Sequence, residues 1–261
     1  MGIYSHIQIP NTILKHFRDE TDPEKKVWYL DITDQTIRRK SAKRLGTSKG
    51  YYSLDGEQFW KHTIEDPVGN LNKQVLDFSA GKIERLTFCS NDMDVVKRYI
   101  LAAIVRSKPA LNSIKDAVET TEKYTAQFLH DAISVLGMEY SKDISDMLNF
   151  DSMISTVLVN RTDRNLVVPR NCFYCIERDN QPNYVMPISP KAALLLLPKS
   201  QLENTTGNYA VTEDPEMVLR LNRHALKYEC LLNKDFVASS CYEELESLQE
   251  LLYNPPWEVN N

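Results

Sequence analysis

The chain has 261 residues, 42% of them hydrophobic, which is enough to bury a core of ordinary proportions. Its net charge of −5 excludes a general attraction to nucleic acid or to an anionic membrane surface, so any such binding has to come from a local basic patch. No apolar run approaches the roughly 20 residues that cross a bilayer, the first residues lack the regions of a secretory signal, and the five cysteines, an odd number, fit reduced thiols better than a disulfide framework, so the expected setting is the cytoplasm.

Ile9, Ile13 and Phe17 share one helical face, and Pro10 stands where a missing N–H costs nothing, which predicts a short helix ending near His16. Residues 27–32 alternate, with Trp28, Leu30 and Ile32 on one side and Val27, Tyr29 and Asp31 on the other. Residues 36–41 can pair with them across Thr33-Asp34-Gln35 as a hairpin. From Glu57 the period becomes helical. Asp66-Pro67 has the form of an N-cap followed by proline at the first helical position, so two consecutive helices are predicted, the second burying Leu71, Val75 and Phe78 and ending near Gly81. Val96, Tyr99 and Ala103 form a further stripe. After Pro109 the series Leu111, Ile114, Val118, Thr121, Thr125, Phe128 and Ala132 predicts a helix that stops at Gly137, and residues 143–158 are expected to be helical too.

Residues 166–197 turn β-rich, with the turn-forming cluster 179–183 separating at least two antiparallel strands. Asp214-Pro215-Glu216 then opens a helix that buries Val218, Leu221, Ala225, Tyr228 and Leu232. Ser240 with Glu243 forms a capping box for a last helix, which stops before Asn254-Pro255-Pro256. This order predicts an α+β fold: one helix-rich domain over residues 1–261, packed against a small antiparallel sheet built from residues 166–197 and the early hairpin.

Three pieces carry a family resemblance. They are His6-Ile7-Gln8-Ile9-Pro10-Asn11-Thr12-Ile13-Leu14-Lys15-His16-Phe17; Gly50-Tyr51-Tyr52-Ser53 with Glu57 and the later Ile64-Glu65; and Asn160-Arg161-Thr162-Asp163 through Asn171, followed by Pro187-Ile188-Ser189-Pro190 and Leu221-Asn222. Together they resemble a bacterial family, domain-of-unknown-function 4238, over nearly the whole chain. The resemblance implies a fold unit and supplies no activity, substrate or cofactor. Two positions depart from the family pattern: Pro169-Arg170-Asn171-Cys172 stands where Ser-Asp-Asn-Pro is usual, so that strand's acidic residue is missing, and Ile7 replaces a second His.

Candidate chemistry is sparse. Cys172-x-x-Cys175 has the spacing of half a zinc site or of a redox dithiol, but residues three apart in a strand point to opposite faces, and Cys89, Cys230 and Cys241 supply no second pair. Buried apolar cysteine is the plainer reading. His62 and Glu65, three apart on one helical face, make a candidate acid–base set with His6 and Glu57 for a metal-dependent hydrolase or nuclease. Spacings of four also pair His62 with Asp66, and Lys61 with Glu57 or Glu65, as an ordinary solvated helix surface. Arg38, Arg39, Lys40, Lys43, Arg44 and Lys49, beside Tyr51 and Tyr52, form the one concentrated basic segment. It is a candidate contact for nucleic acid or a nucleotide, with a lysine-protected hairpin edge as the alternative.

Neither His130-Asp131 nor His224 is accompanied by a Gly-x-Ser-x-Gly nucleophile turn, and there is no glycine-rich phosphate loop. Asn171, Ser189 and Asn222 are candidate ligand contacts, against a structural role in closing hydrogen bonds at strand ends and helix starts. No motif implies a metal or a cofactor. The missing catalytic constellation favours a non-catalytic recognition or interaction protein over the hydrolase, and whether His6, His62 and Glu65 meet in one cleft separates the two readings.

Overall fold

The computed structural model describes residues 4–6, 9–49, 51–87, 90–107, 150–201, 209–232, 234–253 and 255–257. The N-terminal part contains β1 (Tyr4–His6), α1 (Asn11–Leu14) with a following 3₁₀ turn (Lys15–Phe17), β2 (Val27–Asp31), β3 (Thr36–Lys40), β4 (Thr47–Lys49), α2 (Leu54–Trp60), a π turn (Lys61–Glu65), α3 (Asp66–Ser79) and α4 (Ser90–Val105). Next come β5 (Met153–Asn160), β6 (Val168–Pro169), β7 (Tyr174–Arg178), β8 (Gln181–Ser189), β9 (Ala192–Pro198) and β10 (Tyr209–Thr212), followed by α5 (Pro215–Leu232), β11 (Phe236–Ser239) and α6 (Tyr242–Tyr253). The predicted helix over residues 111–132 lies outside the described residues.

Five strands form one sheet in the order β10-β5-β9-β8-β7, antiparallel except for the parallel β10–β5 pair; four more form an antiparallel sheet in the order β3-β2-β11-β6. The inner strands of both sheets are covered on both faces. In β5, Val157 and Val159 join an apolar cluster with α2, α3 and α4, whereas Leu158 between them joins a second cluster with α5 and α6. Val27 and Leu30 of β2 divide in the same way, and half-buried Tyr228 packs against both clusters. A strand buried on two faces loses its alternation and becomes a continuous apolar run, as in Leu194-Leu195-Leu196. The architecture is α+β.

Several expectations are corrected. Residues 153–158 belong to β5, not to a helix, and residues 143–149 lie outside the described set. A short apolar run covered on both faces has no period that separates strand from helix. Asp66 caps nothing: the chain passes from α2 through the π turn into α3 without a break, with helical backbone at Glu65 (φ −74°, ψ −40°) and Pro67 in the first turn of α3. The wide π turn, with its i→i+5 bonding, lets a helix continue through a proline. The early hairpin shares a sheet with the 166–197 region only through β6, with β11 between them, and forms none with the 174–198 strands. α6 begins at Tyr242, which puts Cys241 rather than the expected Ser240 at the position before it, and Ser239 Oγ accepts from Cys241 N–H (3.3 Å) in the preceding turn. Residues 166–176 are not one strand, because a turn with Cys172 in left-handed backbone (φ 66°) separates β6 from β7.

The expected turn at 179–183 contracts to Asp179-Asn180, both left-handed (φ 54° and 58°), joining β7 to β8. Asn180→Gly is expected to raise the unfolding free energy, and Asn180→Val to lower it by about 1–2 kcal/mol, because a β-branched residue resists positive φ. Urea unfolding followed by circular dichroism measures both.

Candidate functional site

Between the helices and the turn before β7, charged and polar side chains gather around Arg106. Ser53 caps α2 by accepting from Gly56 N–H (3.0 Å), which starts the helix where Glu57 and Trp60 face inward. Arg106 follows α4, its N–H bonded to Ala102 O (3.1 Å). Its guanidinium carbon stands 4.6 Å from the Trp60 ring centroid and 5.6 Å from that of Tyr52, within cation–π range. Tyr51 meets Tyr52 edge-on, with centroids 4.8 Å apart. From the turn before β7, Arg170 pairs with Asp235 and lies over Phe236, and α5 contributes the fully buried Glu229.

Burial pushes the Glu65 carboxyl above its usual range; Arg106 opposes the rise, and Glu57 and Asp66 add to it. For Arg106, burial works against the charge, but the acidic groups around it, the Glu65 carboxylate among them, outweigh that cost and the guanidinium stays protonated. Burial lowers Arg170, with Glu229 and Tyr51 opposing. Burial also drives the Cys172 thiol up, so it stays protonated and is a poor nucleophile or metal ligand. Among the described residues, Glu57 Oε1, Trp60 Nε1 and both side-chain amide atoms of Asn171 are buried without hydrogen-bond partners. The centre therefore keeps one carboxyl inclined to hold a proton and offers donor and acceptor groups shielded from water.

The structure divides the expected acid–base set. His62 points outward and its Nδ1 lies 3.2 Å from Asp66 Oδ2, both side chains being at least half exposed, whereas Glu65 turns toward Arg106. Residues three apart do not share a face here, because a π turn advances each residue by less than the α-helical 100°. Glu57 approaches the same centre as Glu65. His6 occupies β1 opposite Thr47, and its side chain lies outside the described residues. Among the described residues, no group of three or more His, Cys, Asp or Glu side chains is placed to hold a metal ion.

The basic segment lies on β3, at the end of its sheet. Arg38 pairs with Asp34; Arg39 reaches Asp22 (3.3 Å) and stacks 4.8 Å from the Trp28 ring centroid; Lys40, Lys43 and Arg44 are exposed in and after the strand.

Other motif residues are structural. Asn222 Oδ1 accepts from Val167 N–H (2.9 Å), and its Nδ2 donates to Asn165 O (2.8 Å) and to Glu244 Oε2 (3.3 Å). Glu244 also accepts from Asn165 N–H (3.0 Å) and from Arg164 (3.2 Å), and Asn160 Nδ2 donates to Arg164 O (2.9 Å) and Pro190 O (3.2 Å). Ser189 Oγ accepts from Lys191 N–H (3.2 Å). These bonds tie the loop after β5 to α5 and α6.

Arg106 and Glu229 escape a reading based on apolar stripes, yet each leaves a signal. Arg106 extends the series Val96, Tyr99, Ala103 by three residues, and Glu229 extends Val218, Leu221, Ala225 by four, so each puts a charge on a core-facing stripe.

The model of a family described as "Protein of unknown function (DUF4238)" matches residues 6–228, and the chain belongs to that family. No curated protein and no solved structure matches the chain.

Two outcomes are expected. Asn222→Ala breaks a fully engaged buried amide and should cost about 2–4 kcal/mol of unfolding free energy in urea titration. A carboxyl whose folded-state pKa is raised, such as Glu65, favours the fold in its protonated form. That contribution is complete below the ordinary value of 4.5 and is lost as pH climbs through the raised folded value. The unfolding free energy of wild type minus that of Glu65→Gln should therefore fall as pH rises from 4.5 toward neutrality in denaturant titrations at each pH.

Proposed function

We propose that this protein is a non-catalytic recognition or interaction protein. The division of the acid–base set supports this reading: proton transfer needs donor and acceptor within hydrogen-bond reach of one substrate atom, and His62 sits beside Asp66 while Glu65 faces Arg106. The basic strand adds support, because Arg38 and Arg39 are already engaged by carboxylates and by Trp28. A single helix-rich domain is part of the proposal, since one apolar cluster draws on residues from Ile9 to Ala238. The bacterial setting rests on the family resemblance. A cytoplasmic one is favoured by Cys172, Cys175, Cys230 and Cys241 all being thiols, and no helix among the described residues is long and apolar enough to cross a membrane.

The competing reading is a metal-dependent hydrolase or nuclease acting on nucleic acid or a nucleotide. It draws on Glu57 and Glu65 approaching one centre, where mutual repulsion contributes to raising Glu65 as it does in paired-carboxylate sites. Wild type incubated with single- and double-stranded DNA and RNA in Mg²⁺ or Mn²⁺ is expected to leave every substrate intact on a denaturing gel. Cleavage that Glu65→Gln abolishes without changing the melting temperature would establish the hydrolase instead.

A further inference from the structure

A cleft of about 510 Å³ opens between α3 and the segment formed by α1 and its 3₁₀ turn. That size lies within the roughly 300–1,000 Å³ of small-molecule sites. Thr12, Lys15 and His16 line one wall; Gly69, Asn72, Lys73, Leu76, Asp77 and Ala80 line the other, with Lys82 beyond the end of α3. The α3 residues recur at steps of three and one, so they form one helical face. That face is neither an ordinary solvent face nor an ordinary core face. Asn72 is 1% exposed, and among the described residues both its amide atoms, like the Thr12 hydroxyl, are buried without hydrogen-bond partners. Leaving such groups unsatisfied destabilises the fold, a cost that an apolar residue at position 72 would avoid.

The charge is also unusual for an acidic chain. Asp77 holds Lys73 (2.9 Å) and Lys82 (3.2 Å) against one another, and Lys15 adds a third ammonium, so three lysines face one aspartate. Burial, with help from Lys15 and Arg18, pushes His16 down to about 4, which leaves its imidazole neutral near neutral pH, one nitrogen donating and the other accepting. At Gly69 an added Cβ would meet nothing within 4 Å, so the cleft has open space over the helix backbone. The larger neighbouring cleft, about 550 Å³, has no buried unpartnered side-chain atom in its lining among the described residues: Trp28 Nε1 donates to Asp19 Oδ2 (2.9 Å), and Asp19 also accepts from Thr21.

We infer that the cleft between α1 and α3 binds a small phosphorylated polyol of the sugar-phosphate class, its phosphate held by Lys15, Lys73 and Lys82 and its hydroxyls by His16 and, once their buried side chains turn into the cleft, by Asn72 and Thr12. The phosphate supplies acceptors for the ammonium groups. Each hydroxyl both donates and accepts, and so satisfies an amide that offers one group of each kind. This inference deepens the recognition reading by naming a ligand class. It shares no residue with the centre around Arg106, so cleavage of nucleic acid would overturn that reading without touching the cleft.

Isothermal titration of the full chain with ribose 5-phosphate, glucose 6-phosphate and glycerol 3-phosphate, alongside inorganic phosphate and ribose, tests it. At least one ester should bind, and at least about tenfold more tightly than phosphate or ribose, the equivalent of one charge-assisted hydrogen bond. Gly69→Leu fills the cleft while improving helix propensity, and should abolish binding with the apo melting temperature unchanged or raised. Asn72→Leu should weaken binding at least about tenfold while raising apo stability, because it removes an unsatisfied buried amide. Lys15→Glu, at an exposed position, should weaken the esters and phosphate alike. No binding of any ester, equal binding of inorganic phosphate, or affinity unaltered in Gly69→Leu and Asn72→Leu would each overturn the inference.

Discussion

The structure depends on one constraint: the central strands of the five-stranded sheet have no face left to water. A sheet whose central strands carry apolar side chains on both sides needs cover on both. Here the helices that precede β5 cover one face, and α5 and α6, which follow β10, contribute to the other. The two halves of the chain are thereby joined through a shared layer, and the second sheet inherits the arrangement. Its central strand β11 comes from near the C-terminus and is inserted between the N-terminal hairpin and β6. Removing either helical layer would expose a face of the sheet, so the ends of the sequence stabilise its middle.

Polar groups inside this layered body fall into two kinds, and hydrogen bonding separates them. Around Glu244 and Asn222, donors and acceptors are matched, and the result fixes the loop after β5 against α5 and α6. Such a network rigidifies a loop and has nothing left to offer a ligand. Around Arg106, and again at Asn72, buried side-chain atoms have no partner among the described residues. Buried polar atoms are normally satisfied, so these positions mark where the fold retains groups that its own packing does not use. The same residue type, asparagine, serves both purposes: Asn222 as a clamp, Asn72 and Asn171 as uncommitted amides.

Much of the architecture was legible in the order of residues. The α1 stripe, the hairpin of β2 and β3, the inward face of α3 and its end at Gly81, and the long amphipathic α5 all announce themselves through local periodicity and end signals. The errors have two physical origins. Residues 153–158 and the turn before β7 are buried on all sides, and burial without a solvent face erases the period that local reasoning needs. The π turn at residues 61–65 is a second case, since a single wide turn rotates Glu65 inward and His62 outward against the α-helical count.

By itself the sequence determined the class of the fold, the positions of several helix ends and the family, because these follow from periods, caps and motifs that act over a few residues. The tertiary structure alone decided which strands pair, which polar residues are clamps and which are uncommitted, and that Arg106 and Glu229 belong to one buried centre. Those outcomes turn on contacts between residues far apart along the chain, where desolvation and hydrogen-bond matching depend on what the opposite wall supplies.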